Sequence, residues 1–384
     1  MKSMLFSTVG VIFVAAIVVS AQGPGRGAGP GQALNGKRLF ETATFGGNGR
    51  TCQTCHSQAT GTVSAADAAQ RFRQNPNDPL FVHDGSDDGA GNGVSRMLED
   101  ATILMTIPLA ANVTLADDPG ARSVVLRRAI TTTLNTPALD PVLMLDGRQP
   151  TLQAQAAGAI LDHAQGVVPS AAELSDIAAF QLTNAFFSSP EVRRFALGGA
   201  PPVLPLGRTA SEIRGRRFFE DVPPDPTAGF KPGLCSHCHS GPLLNQTNQF
   251  ASAFIAGLPI PAGQRFIGVG VSEFNAAQNP VREFIFDQGT PAEFHLFSPD
   301  PGRALVTGIG NPALDPTLEH VNAFKISALR GIRHTAPYFH DNSSRTLEDT
   351  AAHYALFFSV VTGGAINLTL QDQQDMVAYM RLLD

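Results

Sequence analysis

The chain has 384 residues, enough for two domains of ordinary size, and 27 Lys and Arg against 33 Asp and Glu give it a formal charge of −6 at pH 7. Nothing in that balance suggests nucleic-acid binding. Tryptophan is absent, tyrosine occurs three times and cysteine four times, so the positions of the few tyrosines and thiols are informative.

In chain order, Lys2 precedes an apolar run from Leu5 to Val19, and Val19-Ser20-Ala21 offers small residues before Gln22. Residues 1–21 therefore read as a secretory signal peptide, with an uncleaved anchor as the alternative, although the run is short for a membrane span. The expected address is periplasmic. Gly23 to Pro30 is rich in Gly and Pro, so residues 22–33 are expected to be a flexible leader. Gly36-Lys37-Arg38-Leu39-Phe40-Glu41 then opens a helix in a first domain spanning 34–200.

Cys52-Gln53-Thr54-Cys55-His56 follows, and Cys235-Ser236-His237-Cys238-His239 repeats the pattern; together they use every cysteine. Two thiols at this spacing match the two vinyl groups of a porphyrin, and a histidine directly after the second thiol can ligate iron from the proximal side. The rival readings are a zinc site, which would want a fourth donor at close spacing, and a redox dithiol, which gives no reason for His at the same offset twice. The pattern implies two covalently bound haems c, with His56 and His239 as iron ligands and no thiol left for a disulfide.

The rest of the chain repeats too. Gly215-Arg216-Arg217-Phe218-Phe219-Glu220 echoes the helix at Gly36, and Asp341 to Thr346-Leu347 keeps the separation of Asp146 to Thr151-Leu152. Pro201-Pro202-Val203-Leu204-Pro205 cannot continue a helix and marks a linker over 201–207. The second domain runs over 208–384. Apolar residues at helical spacing over Ala171 to Ala185, Ala210 to Glu220 and Leu370 to Leu383 predict helices. The fold class expected is mainly α, two cytochrome c-like haem domains related by internal duplication.

Phe324-Lys325-Ile326-Ser327-Ala328-Leu329-Arg330-Gly331, then Thr335-Ala336-Pro337-Tyr338-Phe339-His340-Asp341 and Thr346-Leu347-Glu348, resemble the C-terminal signature of bacterial di-haem cytochrome c peroxidases and MauG enzymes. Cys238 to Pro242, Asn135-Thr136-Pro137 and Asp146-Gly147-Arg148 extend the resemblance over most of the chain from Gly36; Ser57 to Arg128 match least. The resemblance implies that the second haem takes its sixth ligand from the helix after Thr-Leu-Glu, as methionine in the peroxidases and tyrosine in MauG. Here that position is Tyr354, with neighbouring His353 as rival. A phenolate favours ferric iron.

Counting the same interval after Thr151-Leu152 lands on Ala159, which cannot ligate. The first haem is then the candidate peroxide site, open on its distal face, and the second an electron store. One helical turn further, His163 could be a sixth ligand or a distal acid and base. The resemblance also matches a distal glutamine to Gln155 and a distal glutamate to Gln165, an amide that cannot carry protons; Asp162 is the other group that could. His83 is a further candidate, a reversible ligand by resemblance. It precedes Asp84-Gly85-Ser86-Asp87-Asp88-Gly89, which imitates half a calcium loop but has Ser95 where the closing acid should stand. A solvated acidic turn is the alternative. Resemblance also implies a calcium ion between the domains at positions matching Asn135, Thr335 and Pro337. Arg330, Tyr338 and His340 are expected to line or support the second haem, with Arg330 near a propionate. Leu145 stands where the resembled family places a tryptophan between the haems, so electrons are expected to tunnel through packing or pass through another aromatic such as a phenylalanine.

Three functions stay open: a peroxidase or peroxide-dependent oxidase fed by a small periplasmic cytochrome c or cupredoxin; an electron-transfer cytochrome whose first iron is closed by His83, His163, Met97 or Met105; and a haem sensor. The resemblance also implies a homodimer.

Overall fold

The computed structural model describes residues 29–135, 139–254, 258–275, 277–289 and 293–384. The expected signal peptide, residues 22–28 of the leader, and Thr136 and Pro137 lie outside them. The main helices are α1 (Pro30–Thr42), α2 (Leu152–Asp162), α3 (Ala171–Phe180), α4 (Ala210–Arg216), α5 (Leu347–Val361) and α6 (Leu370–Met380).

α1 begins inside the stretch expected to be a flexible leader. Pro30 at its first position has no N–H to waste, and Gln32 Oε1 accepts the Gly29 N–H at 3.2 Å, so the first turn is closed locally. Glycines set how the helices pack. A Cβ on Gly36 would lie 1.8 Å from Asp176 O of α3, and one on Gly215 of α4 would lie 1.9 Å from Asp375 O of α6. Only glycine permits either crossing. Around the first, Phe40, Phe180 and Phe186 pack edge to face with centroids 5.1 to 5.5 Å apart; at the second, Phe219 meets Tyr379 at 5.3 Å.

α2 and α5 start alike. Thr151 and Thr346 cap them by accepting the Ala154 and Asp349 N–H groups, as short hydroxyl side chains do at N-caps. Each is preceded by one antiparallel bridge, Leu143 with Gln149 and Tyr338 with Ser344, and by a left-handed residue just after the bridge opens, Met144 at φ 66° and Phe339 at φ 69°.

The mainly helical expectation misses a sheet layer in the segment that matches least. β1 (Thr102–Pro108) pairs antiparallel with β3 (Ser123–Ala129). β2 (Val113–Leu115) pairs with β5 (Arg282–Phe286), which pairs with β6 (Phe294–Ser298), and the two-residue β4 (Phe266–Ile267) pairs with β7 (Phe324–Lys325). Alternate side chains of β1 and β3 enter one core with Phe284 and Phe286, the period expected of half-buried strands. β2 thus joins the two halves. So does Arg128, whose guanidinium lies 2.5 Å from Asp146 and 2.7 Å from Asp300. This buried triple is held by hydrogen bonds on each carboxylate, as a desolvated charge requires.

Residues 201–207 carry no helix but are fastened. Arg330 donates to Pro202 O at 3.0 Å and Val203 O at 3.2 Å, and the Tyr379 hydroxyl donates to Pro205 O at 2.9 Å.

Candidate functional site

Each Cys-x-x-Cys-His segment lines a large cavity. Cys52–Cys55 form a single helical turn after extended Thr51, and His56 caps it. This brings both thiols and the imidazole to the wall of a cavity of about 130 Å³. Cys235, Cys238 and His239 line another of about 200 Å³. Both are several times the roughly 30 Å³ share of a water molecule, in interiors that normally hold few larger voids.

The two histidines are oriented by the same contact. His56 Nδ1 lies 2.8 Å from Gly61 O and His239 Nδ1 lies 2.9 Å from Leu244 O, each five residues on. A carbonyl only accepts, so Nδ1 carries the proton in both rings; Nε2 of His56 keeps its lone pair, while the backbone of Ser327 also hydrogen-bonds the His239 ring. Burial lowers both pKa values, which keeps the rings in the neutral, metal-binding form. Burial also raises all four thiols, Cys52 and Cys238 to about 12. Buried thiols beside an apolar cavity suit thioether attachment. Among the described residues no three His, Cys, Asp or Glu side chains gather as a metal site. The donor set and cavity fit a c-type haem in each half.

The opposite walls differ. α5 presents Tyr354, which lines the second cavity; its ring packs on Phe358 at 5.9 Å and Phe339 at 6.1 Å. Burial pushes its phenol pKa up, and among the described residues no hydrogen bond engages the hydroxyl. His353 is turned away, its Nε2 2.9 Å from Val269 O. In the first cavity α2 presents Gln155, Ala156 and Ala159, with His163 at the helix end.

Gln165 is not brought there. α2 stops at Asp162, and the chain turns through Gln165 at φ 53°, whose exposed side chain meets Asn48 Nδ2 at 3.3 Å. Asp162 and His83 also stay out of the wall; His83 Nε2 lies 3.1 Å from Asp162 O. Met97 belongs to the core of the sheet layer, whereas Met105 lines the first cavity and its Sδ lies 3.1 Å from Arg148 Nη2.

Arg330, Tyr338 and His340 line the second cavity. The Arg330 donors are taken by the carbonyls of Pro202, Val203 and Pro242, so its guanidinium fastens the linker where a propionate contact was expected. The Tyr338 hydroxyl donates to Ile332 O at 3.0 Å, and the His340 ring stacks on Phe324 at 3.6 Å. Thr335 and Pro337 line the same cavity, while Asn135, at φ 62°, accepts from Ser188 N at 2.9 Å and donates to Arg330 O at 2.9 Å. In the acidic loop, Asp87 accepts from Ser95 N and Arg96 N, and Asp88 from Ala90 N and Asn92 N. Those carboxylates cap backbone donors and do not converge, which is the behaviour of an acidic turn.

Two features escape the sequence. Lys325, paired with Asp140 at 3.0 Å, lines both cavities, together with Ile130, Thr131 and Thr132. Leu145 lines the second cavity only, and its carbonyl accepts the Lys325 N–H. The other is Asp84, whose Oδ2 lies 2.5 Å from His163 Nδ1 while its Oδ1 pairs with Arg50. Burial works to raise the Asp84 pKa, but His163 and Arg50 outweigh it and hold the carboxyl below its usual range.

No protein-family model matches the chain. Among curated proteins, cytochrome-c peroxidase IdrP1 of Denitromonas iodatirespirans is 23% identical over 160 residues; the match covers 39% of this chain and 36% of that protein, little more than a third of its length. Among solved structures, a MauG-like protein associated with microbial copper homeostasis is 19% identical with a TM-score of 0.49, covering 92% of this chain and 88% of that one. The diheme peroxidase BthA of Burkholderia thailandensis E264 is 17% identical with a TM-score of 0.46, covering 92% and 86%. Two cavity-lining Cys-x-x-Cys-His segments thus stand in a chain that is similar, over little more than a third of its length, to a cytochrome-c peroxidase.

Proposed function

We propose that the chain is an exported, periplasmic di-haem c-type cytochrome that acts as a peroxidase or peroxide-dependent oxidase. Hydrogen peroxide is reduced in the His56 cavity, with electrons entering through the His239 cavity from a small cytochrome c or cupredoxin. The observation that carries this reading is the contrast between Ala159 and Tyr354. These residues stand at matching places on helices with the same cap, the same preceding bridge and the same left-handed residue. That correspondence, and the paired glycine crossings, support descent of the two halves from one duplicated domain.

His56 and His239 would each hold an iron through Nε2, and Tyr354 would close the second. A haem held there would supply the redox-active metal and pass on the electrons that O–O cleavage consumes. The chain supplies the proton path. His163 Nε2 takes the proton of the near peroxide oxygen and returns it to the far oxygen, which leaves as water, and the Gln155 amide holds the peroxide. One peroxide, two electrons and two protons give two waters. A positioned acid and base of this kind is worth on the order of a hundredfold or more in rate. Lys325 and the Ile130 to Thr132 wall separate the cavities by packing that electrons can tunnel through.

The test is an electron paramagnetic resonance spectrum of the ferric holoprotein, followed by peroxide turnover with reduced cytochrome c. One high-spin and one low-spin iron, with turnover, is expected. Two low-spin irons that stay so after one-electron reduction would leave a carrier, the second reading, for which Met105 in the first cavity wall is the available ligand.

A further inference from the structure

Three segments distant in sequence meet at the edge of the first cavity: Arg50, just before the first thiol; Asp84, in the short helical turn His83–Gly85; and His163, at the end of α2. We propose that Asp84, locked by Arg50, is the positioning residue that fixes the tautomer and direction of the His163 ring, so that its Nε2 serves the cavity as proton carrier. This rests on the peroxide-reducing reading above and deepens it.

The geometry leaves the ring little freedom. A carboxylate is an acceptor only, so the 2.5 Å contact to Asp84 Oδ2 puts a proton on Nδ1, and in the neutral ring the lone pair is then on Nε2. Among the described residues no hydrogen bond engages that Nε2, and the side chain lines the cavity with Gln155 and Ala159. Asp84 cannot turn away. Its other oxygen is held by Arg50, and both side chains are at least nine-tenths buried, 2% and 6% exposed.

Arg50 is itself fixed from several sides. It donates to Pro79 O at 2.8 Å, Leu80 O at 3.0 Å, Val82 O at 2.6 Å and His163 O at 3.1 Å. The turn is fitted to it: a Cβ on Gly85 would lie 1.9 Å from Leu80 O and 2.5 Å from Arg50 Nη2. A buried ion pair gains little stability over apolar packing. Placing one against a cavity-lining imidazole is instead the arrangement that holds a ring in one tautomer.

The probe is hydrogen cyanide binding to the ferric holoprotein. To bind as the anion it must break its H–C bond, with the proton passing to His163 Nε2 and the carbon lone pair to the metal, so its association rate reports the base without catalytic turnover. His163→Ala is expected to slow association about a hundredfold. Asp84→Asn, which keeps the shape but offers an N–H where the ring needs an acceptor, should slow it at least about tenfold at unchanged haem content. In the His163→Ala background Asp84→Asn should add nothing. An Asp84→Asn rate like wild type, or an equal loss with and without His163, overturns the role of Asp84. No effect of His163→Ala overturns the reading of His163 itself. Nitrogen-15 spectra of wild type in the diamagnetic ferrous carbonyl form need no variant: a His163 proton on Nδ1 is expected, and one on Nε2 overturns the proposal.

Discussion

The two cavities are built alike around their thiols and imidazole and differ in what the matching helix presents to them. Each has two thiols, a histidine whose Nδ1 is bonded to the carbonyl five residues on, and an opposing helix capped by threonine. One helix then offers a buried phenol and the other a methyl group. The chemistry available to a haem is set by its sixth position, so under the proposed function this single side chain is what divides binding from storage. The supporting shells differ accordingly. The edge of the first cavity holds the Arg50, Asp84 and His163 network, whereas Tyr354 packs on aromatic carbon.

Making the cavities alike is the strongest way to break this contrast. Ala159→Tyr should place a phenol over the first iron, convert its high-spin signal to low spin and cut peroxide turnover by on the order of a hundredfold or more, the scale of losing a reactive position. Retained turnover with a closed first iron would move the reaction elsewhere.

The reverse change should do less. Tyr354→Phe removes one oxygen and keeps the ring packing, so the second iron should become high-spin and bind azide, while peroxide turnover falls about tenfold as its potential rises without an anionic donor. Visible and resonance spectra would show the phenolate band vanish. A spectrum unchanged from wild type would mean that Tyr354 is only a wall residue.

How much of this was legible follows from how local each signal is. The haem-binding pentapeptides are contiguous, and the matched intervals to Ala159 and Tyr354 survive because both helices start from the same threonine cap. Gln165 shows the limit of the resemblance: it matches a distal glutamate, but α2 ends before it and a left-handed turn sends it to solvent. Asp84 looked like part of an acidic turn, as its neighbours Asp87 and Asp88 are, because its partners Arg50 and His163 lie far away in sequence. The strands from Thr102 to Ala129 were hidden for a related reason. β2 is completed only by β5 from the other half, and short strands draw stability from such distant pairing more than from local propensity.

The smallest effects concern what the halves have in common. Gly36→Ala and Gly215→Ala each drive a methyl group into a facing carbonyl, of Asp176 and Asp375 respectively, and overpacking of this kind costs about 1–3 kcal/mol. The costs should be unequal. Among the described residues Asp176 is tied to its neighbour by one side-chain bond, from Asn35 at 2.7 Å, and can shift. Asp375 is held by Ser211 at 2.6 Å, by Arg214 at 2.6 and 2.8 Å and by Gln371 at 2.9 Å, so α6 cannot yield without losing those bonds. Thermal unfolding at one scan rate should therefore show Gly215→Ala below Gly36→Ala, with each variant perturbing the absorption of its own haem first. Equal losses, or perturbation of the opposite haem, would mean that the halves yield as one body and that the glycine crossings do not stabilise each cavity separately.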